Sequence, residues 1–327
     1  MSLKNKPTLK YSSIKVAVTF GDPSGIGPAV IAKSLNSICK LAQVTVIGDA
    51  WVFDKVQSTE YRVQSVKFID LDNVNHKNFS FGKVKGEYGR ASIEYLDKAM
   101  SLIKTKQVDS IVTGPISKEA ISLAGFDYSG HTEYFSHKAK TKDTVMMLLN
   151  NQLKFSLVTR HIPIKDVSSM LTKEKLYKTI YLTHSALRRF FSMPNPRIVV
   201  CGLNPHASDN GLIGKEEHLV MNPVLRNLRK FIKCLDGPLS ADIAIQKAKE
   251  KKYDCIIAIY HDQALIPLKL SGGSSGVNLT LGLPFIRTSP LHGTAFDIAG
   301  RLNLINPASF LKAFKLAVAC SINQKNT

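Results

Sequence analysis

Ile14-Lys15-Val16-Ala17-Val18-Thr19-Phe20 runs straight into Gly21-Asp22-Pro23-Ser24-Gly25-Ile26-Gly27-Pro28, and a helix to about Leu41 follows. A Val- and Ile-rich run ending in a glycine loop reads as a buried strand turning into a helix. Val30, Ile31, Leu35, Ile38 and Leu41 recur at helical spacing, and Pro28 suits a first helical turn. Strand-like runs at Val44–Gly48, Val66–Ile69 and Asp109–Pro115 then alternate with helical patterns near Gly89–Lys104 and Lys118–Leu123. Such alternation specifies an α/β fold.

A second helical pattern opens at Gly130-His131-Thr132-Glu133. Val145–Leu149 and Phe155–Val158, joined by Asn150-Asn151-Gln152, read as a hairpin, an antiparallel insertion in an otherwise alternating chain. Helices are expected at Lys173–Phe191, near Lys215–Phe231 and at Ala241–Lys251, with a strand at Arg197–Cys201. At 327 residues the chain is long for one core, so two lobes with a cleft are expected.

Three apolar runs each end in a histidine: Leu157 to His161, Val199 to His206, and Ile256 to His261. In α/β proteins ligands bind beyond the carboxyl ends of strands. Three imidazoles from separate strand ends, 45 and 55 residues apart, with a fourth position left open, form the pattern of a catalytic metal site. Asp262 and Asp242 can each orient such a ligand. All-imidazole ligation suits Zn²⁺, Co²⁺ or Ni²⁺ on softness, and open sites exchange metals with availability. The Gly21–Pro28 loop reads either as a phosphate cradle at a helix N-terminus or as a tight structural turn, since it matches neither G-x-G-x-x-G nor a P-loop.

Composition narrows the partners. A net charge of +19 favours anions, but the lysines are scattered and no zinc-finger or RNP-type signature appears, so a small anionic substrate is expected and no nucleic acid. With 44% hydrophobic residues and no apolar run of bilayer length, no membrane association is expected. The lysine-rich, acid-free start of the chain has no apolar core or cleavage site, so it reads as a solvated tail and the protein as cytoplasmic. Cys39, Cys201, Cys234, Cys255 and Cys320 form no Cys-x-x-Cys pair and read as reduced thiols.

Leu291-His292-Gly293-Thr294-Ala295-Phe296-Asp297-Ile298-Ala299-Gly300 resembles the cofactor loop of isopropylmalate and isocitrate dehydrogenases, which holds the adenosine half without a Rossmann motif. A longer resemblance covers residue 14 to the C-terminus. Gly21–Pro28, Gly130–Glu133, Leu203-Asn204-Pro205-His206-Ala207, Tyr260-His261-Asp262-Gln263 and Gly276–Ser289 are similar, in order, to the motifs of the PdxA family of vitamin B6 synthesis. Two positions depart: Ala29 stands where many relatives have Glu, and Ser208-Asp209-Asn210-Gly211 replaces a more glycine-rich turn.

The resemblance implies a two-lobed isocitrate/isopropylmalate dehydrogenase-like fold with mixed sheets flanked by helices and the active site in the cleft. It places a cofactor-side domain at 1–135 plus 280–327, and a second domain, carrying the metal ligands and dimer contacts, at 136–279. It implies NAD(P)-dependent oxidation of 4-phosphohydroxy-L-threonine at C3, then decarboxylation to 3-amino-2-oxopropyl phosphate. The paralogous reading is a dehydrogenase of D-threonate or D-erythronate 4-phosphate; a phosphate acyltransferase of related fold is the reading from another class.

Carried across residue by residue, the resemblance makes His161, His206 and His261 ligands of one divalent metal (zinc, cobalt or magnesium), the set being completed across a homodimer interface. His131, Thr132, Lys269, Asn278 and Arg287 become substrate-binding residues, and Gly293, Thr294, Ala295, Asp297 and Asn306 become cofactor-binding. Lys269, His131, Asp242 and Asp262 are the candidate proton acceptors. Lys269, Asn278 and Arg287 are expected in or beside the loops after the third histidine strand.

Overall fold

The computed structural model describes residues 13–56, 66–272 and 275–326. The lysine-rich tail through residue 12 and Gly273-Ser274 lie outside the described residues. The chain begins β1 (Lys15–Thr19), α1 (Gly27–Ile38), β2 (Gln43–Gly48), α2 (Ala50–Asp54), β3 (Lys67–Asp70), α3 (Gly86–Lys104), β4 (Ser110–Thr113), α4 (Lys118–Leu123) and α5 (His131–Lys138). It continues through β5 (Val145–Leu149), β6 (Lys154–Leu157), α6 (Val167–Met170), α7 (Lys173–Phe191), β7 (Ile198–Cys201), α8 (Asn222–Leu228) and β8 (Leu235–Leu239). Last come α9 (Ala241–Lys249), β9 (Cys255–Ala258), α10 (His261–Gly272), β10 (Val277–Leu281), β11 (Ile286–Pro290) and α11 (Ala308–Asn326).

Two compact units result: Met1–Thr141 with Leu283–Thr327, and Lys142–Gly282. In the first, strands run β3-β2-β1-β4-β11, all parallel. Chain order reverses between β1 and β4, the switch point where open α/β sheets bind ligands. β1 is buried after its first residue and β4 throughout, as apolar runs covered on both faces must be.

Backbone contact decides the turn after β1. A Cβ on Gly27 would fall 1.9 Å from the Phe20 carbonyl oxygen, and one on Gly114 would fall 2.1 Å from the same atom. Both positions therefore admit glycine alone. Gly21 to Pro28 are buried throughout, and the Ile26 N–H at the start of α1 donates to the Thr294 carbonyl at 3.0 Å. The loop is a closely packed turn at the start of α1.

The second unit's sheet is mixed, in the order β10-β5-β6-β9-β7-β8. β5 pairs antiparallel with β10 and with β6, while β6, β9, β7 and β8 are parallel. Asn150 closes the β5–β6 hairpin, its side-chain oxygen accepting from the N–H groups of Gln152 and Leu153. Thr172 caps α7 by accepting from the Lys175 N–H at 3.2 Å.

Two expectations are corrected. Lys269 lies on α10, which continues past Pro267 to Gly272; Asn278 lies in β10 and Arg287 in β11, none of them on a loop. Asn, Thr, Arg and Ser inside fully buried strands hide the apolar run that marks such strands in sequence. β8, Leu-Asp-Gly-Pro-Leu, carries a proline, which is tolerated because β8 is the last strand of its sheet. The Lys215–Phe231 helix is a π-helical segment, Glu217–Met221, leading into α8.

Beyond β7, His206, Ala207, Ser208, Asp209 and Asn210 all take left-handed backbone angles, with φ of 53°, 52°, 71°, 45° and 56°. This is the segment where the sequence departs from a glycine-rich turn. Each non-glycine residue there costs roughly 1–2 kcal/mol. Glu217, 2% exposed, anchors the start of the turn: its carboxylate accepts from the Asn204 N–H and Nδ2, both at 2.8 Å. Asp209 is exposed at φ 45° and makes the simplest probe. Asp209→Gly is expected to stabilise the protein by about 1 kcal/mol in urea unfolding; a loss of stability would show that the aspartate side chain holds the turn.

Candidate active site

The three histidines sit beyond the carboxyl ends of neighbouring parallel strands, His161 after β6, His261 after β9 and His206 after β7. Two of them meet. The rings of His161 and His261 lie 5.6 Å apart, tilted by 52°, and line one pocket of about 220 Å³ with Arg160, Ile164, Val167 and Asp262. His261 Nδ1 lies 2.7 Å from Asp262 Oδ1. A carboxylate can only accept, so Nδ1 carries the proton and Nε2 presents a lone pair, as in carboxylate–histidine–metal sites.

His206 is exposed and does not line that pocket. Among the described residues, no three His, Cys, Asp or Glu side chains stand close enough to share one ion. Asp242 is exposed at the start of α9, its charge felt by Cys201 at the end of β7. Lys269 is exposed on α10. Asn278 is buried in β10, and its Oδ1 is shielded from solvent with no hydrogen-bond partner.

The first unit builds a different site at its switch point. Arg287, 2% exposed, donates from Nη2 to Thr113 Oγ1 at 2.6 Å and lies over the Phe135 ring, 5.9 Å from its centre. Burial pushes its guanidinium down to about 9, with Glu133 pulling the other way, so it is still cationic at neutral pH. His131 stacks on the same Phe135 ring, and Thr132 beside it is buried.

Burial and the Arg287 charge hold His131 well below its ordinary value, so it is neutral. One ring N–H donates to the Gly114 carbonyl, while Nε2 is shielded and without a partner. The proton therefore sits on Nδ1, and Nε2 is an acceptor beside a fixed cation. The sequence does not single out Phe135, but Thr113-Gly114-Pro115, a strand ending in a turn, does mark the place.

The loop expected to hold a cofactor packs onto the Gly21–Pro28 turn. The Thr294 carbonyl accepts from Ile26, and a Cβ on Gly82 would fall 2.5 Å from the Phe296 carbonyl oxygen. Gly293 and Asp297 are exposed, and Ala295 is left-handed at φ 43°. Asn306 accepts from the Ala308 N–H at the start of α11. His292 Nε2 is a further shielded, unpartnered nitrogen.

The family model described as "Pyridoxal phosphate biosynthetic protein PdxA" matches residues 18–317. The chain belongs to the PdxA family. A 4-hydroxythreonine-4-phosphate dehydrogenase of a Sulfurihydrogenibium species is 40% identical, over 93% of this chain and 98% of the relative. A putative D-threonate 4-phosphate dehydrogenase of Oceanobacillus iheyensis is 36% identical, over 93% and 96%. The crystal structure of the Klebsiella pneumoniae 4-hydroxythreonine-4-phosphate dehydrogenase superposes with a TM-score of 0.86 at 35% identity, covering 95% of this chain and 99% of that one. The PdxA fold is thus the α/β architecture seen here, with mixed-sheet and all-parallel parts flanked by helices, and no described helix is long and apolar enough to cross a membrane.

Both groups that the PdxA family implies find suitable residues. Two imidazoles, one with its tautomer fixed by Asp262, are apt donors for a divalent ion. The shielded His292 nitrogen and the close-packed 292–297 loop suit an extended cofactor.

Asp22 is the other unusual group in this first unit. Its Oδ1 accepts from the Ser24 N–H and Oγ, both at 2.9 Å, while Oδ2 is shielded and unpartnered. Burial raises its pKa from 3.8 to about 6. The folded state thus binds this proton more tightly than the unfolded chain, so stability falls as pH rises from 3.8 to about 6 and stays lower above. Asp22→Asn is expected to be more stable than the parent at pH 8, by up to about 3 kcal/mol, with the gap closing towards pH 4. Urea unfolding across that range checks this; a pH-independent gap would mean the carboxyl does not titrate as described.

Proposed function

We propose that this chain is a 4-hydroxythreonine-4-phosphate dehydrogenase, oxidising the C3 alcohol of 4-phosphohydroxy-L-threonine with NAD or NADP. The resulting β-keto acid then loses carbon dioxide to give 3-amino-2-oxopropyl phosphate. One observation carries the reading: a buried Arg287, cationic at neutral pH, beside a neutral acceptor His131, at the switch point of a chain 40% identical to a relative so named.

Arg287 supplies a fixed cation for phosphate or carboxylate, and Thr113 together with the Phe135 face keeps its fork aimed. Lys269 supplies the second cation, Thr132 a hydroxyl, and Asn278 Oδ1 an acceptor suited to an ammonium. Of the four candidates, His131 Nε2 is the buried, unpartnered acceptor, suited to receive a hydrogen bond from the substrate hydroxyl, while burial and the Arg287 charge weaken it as a base. A divalent metal held by His161, His206 and His261 would supply Lewis-acid polarisation of the substrate oxygen, and a nicotinamide held by the 293–297 loop and Asn306 would accept the hydride.

A homodimer that shares the metal site accounts for two features. His206 stands apart from the other two histidines within one chain, and Ile164, Leu212, Leu219, Ile266 and Leu270 are left exposed in the same unit. The alternative, oxidation of D-threonate 4-phosphate, draws on the Oceanobacillus relative. It differs by a hydroxyl in place of the ammonium.

Reduced-nicotinamide absorbance, followed with each substrate and with zinc, cobalt or magnesium, separates the two readings. Turnover is expected with 4-phosphohydroxy-L-threonine; turnover with D-threonate 4-phosphate alone would transfer the assignment to the paralogue. His206→Ala is expected to lower metal-dependent turnover about 100-fold or more while leaving the fold intact. Sedimentation is expected to show a dimer, and a monomer with full activity would rule out a shared site.

A further inference from the structure

The backbone of Ile259, two residues before His261, is held by side chains on both sides, with one backbone hydrogen bond beside them on the β6 side. On the β6 side its carbonyl accepts from the Thr159 N–H at 3.0 Å and from Thr159 Oγ1 at 2.6 Å. On the β7 side its N–H donates to Gln263 Oε1 at 2.7 Å, while Gln263 Nε2 donates to the Gly202 carbonyl at 2.8 Å. Thr159 precedes His161 by two residues, Gln263 follows His261 by two, and Gly202 precedes His206 by four. All three histidine segments therefore join at one residue.

Gln263 does this by imitating a peptide. The β7–β9 register sets Val200 opposite Ile257, so continuing it sets Gly202 opposite Ile259. At that point the strands no longer pair directly, and the primary amide fills the gap, accepting with its oxygen and donating with its nitrogen. No apolar side chain can do both. Gln263 is 7% exposed and Thr159 2%, so any partner left unsatisfied here costs about 1–3 kcal/mol. The Gly202 position is passed on to the next turn, since a Cβ there would lie 2.9 Å from Ala207 Cα and 3.1 Å from Glu217 Oε1.

We propose that Gln263, seconded by Thr159, is the positioning residue of the histidine site, splicing the Gly202 and Ile259 peptides together and thereby fixing the His206 segment against the His161–His261 pair. The inference rests on the reading of these histidines as metal ligands. It gives Gln263 no contact with metal or substrate. Its effect is on the backbone that presents each imidazole before an ion arrives, whether His206 serves the site of its own chain or that of a second copy.

Cobalt(II) titration of the full-length protein tests this, with affinity read by chelator competition and coordination by the visible spectrum of bound cobalt. Gln263→Leu and the unbranched Gln263→Met are expected to weaken cobalt binding about 10–100-fold and to alter the spectrum. Thr159→Val is expected to weaken it less, with Thr159→Ser restoring it. Urea unfolding of the metal-free variants separates stability from placement, and should Gln263→Leu not fold, Gln263→Met and the Thr159 pair decide. Wild-type affinity and spectrum in Gln263→Met would overturn the proposal whatever its stability. If wild type binds cobalt no better than His261→Ala, the metal reading itself fails and this inference with it.

Discussion

The carbonyl oxygen of Phe20 is approached by backbone from two sides with no space to spare. The first residue of α1 and the residue after β4 both crowd against it with no space for a side chain. Because the helix closes down onto β1 there, the Gly114 carbonyl and Thr113 hydroxyl are fixed at the switch point, one accepting from His131 and the other from Arg287. A methyl group at either glycine would displace the groups that orient the buried cation. The constraint is steric, but its consequence is electrostatic.

The two units solve the problem of buried polarity differently. In the first, a guanidinium, an imidazole and a carboxyl are taken out of water and their proton affinities shift: Arg287 and His131 fall, Asp22 rises. Each shift lowers the cost of burying charge, and each lowers stability at some pH, a pattern concentrated at functional sites. In the second unit the histidines stay partly or fully exposed, and order is imposed on the backbone behind them through Thr159, Gln263 and Glu217. By contrast, the buried thiols of Cys201, Cys255 and Cys320, all pushed up to about 12, are inert packing.

Much of this was legible in the residues. Apolar runs such as Val199–Cys201 and Cys255–Ala258 announce buried strands, and their neighbouring parallel order follows from the α/β pattern, so the histidines could be placed at one edge from sequence. Polar residues inside strands defeat that logic: Asn278 and Arg287 look like loop residues because nothing local shows that their polar ends are buried. The ligand carboxylate of His261 was visible as its neighbour Asp262, whereas Gln263 was not, since its partners are Ile259 and a residue 61 positions away. Convergence of His161 with His261, and the separation of His206 from them, depend on loop paths that no spacing encodes.

The left-handed turn after β7 carries a thermodynamic signature of its own. A glycine-rich turn samples many backbone states and loses that freedom whenever it is ordered, whereas five side-chain-bearing residues confined to one basin have little left to lose. A ligand meeting His206 would therefore find the segment's conformational entropy already lost on folding. The cost of ordering is then carried by the fold as backbone strain, and binding at that segment would add little to it.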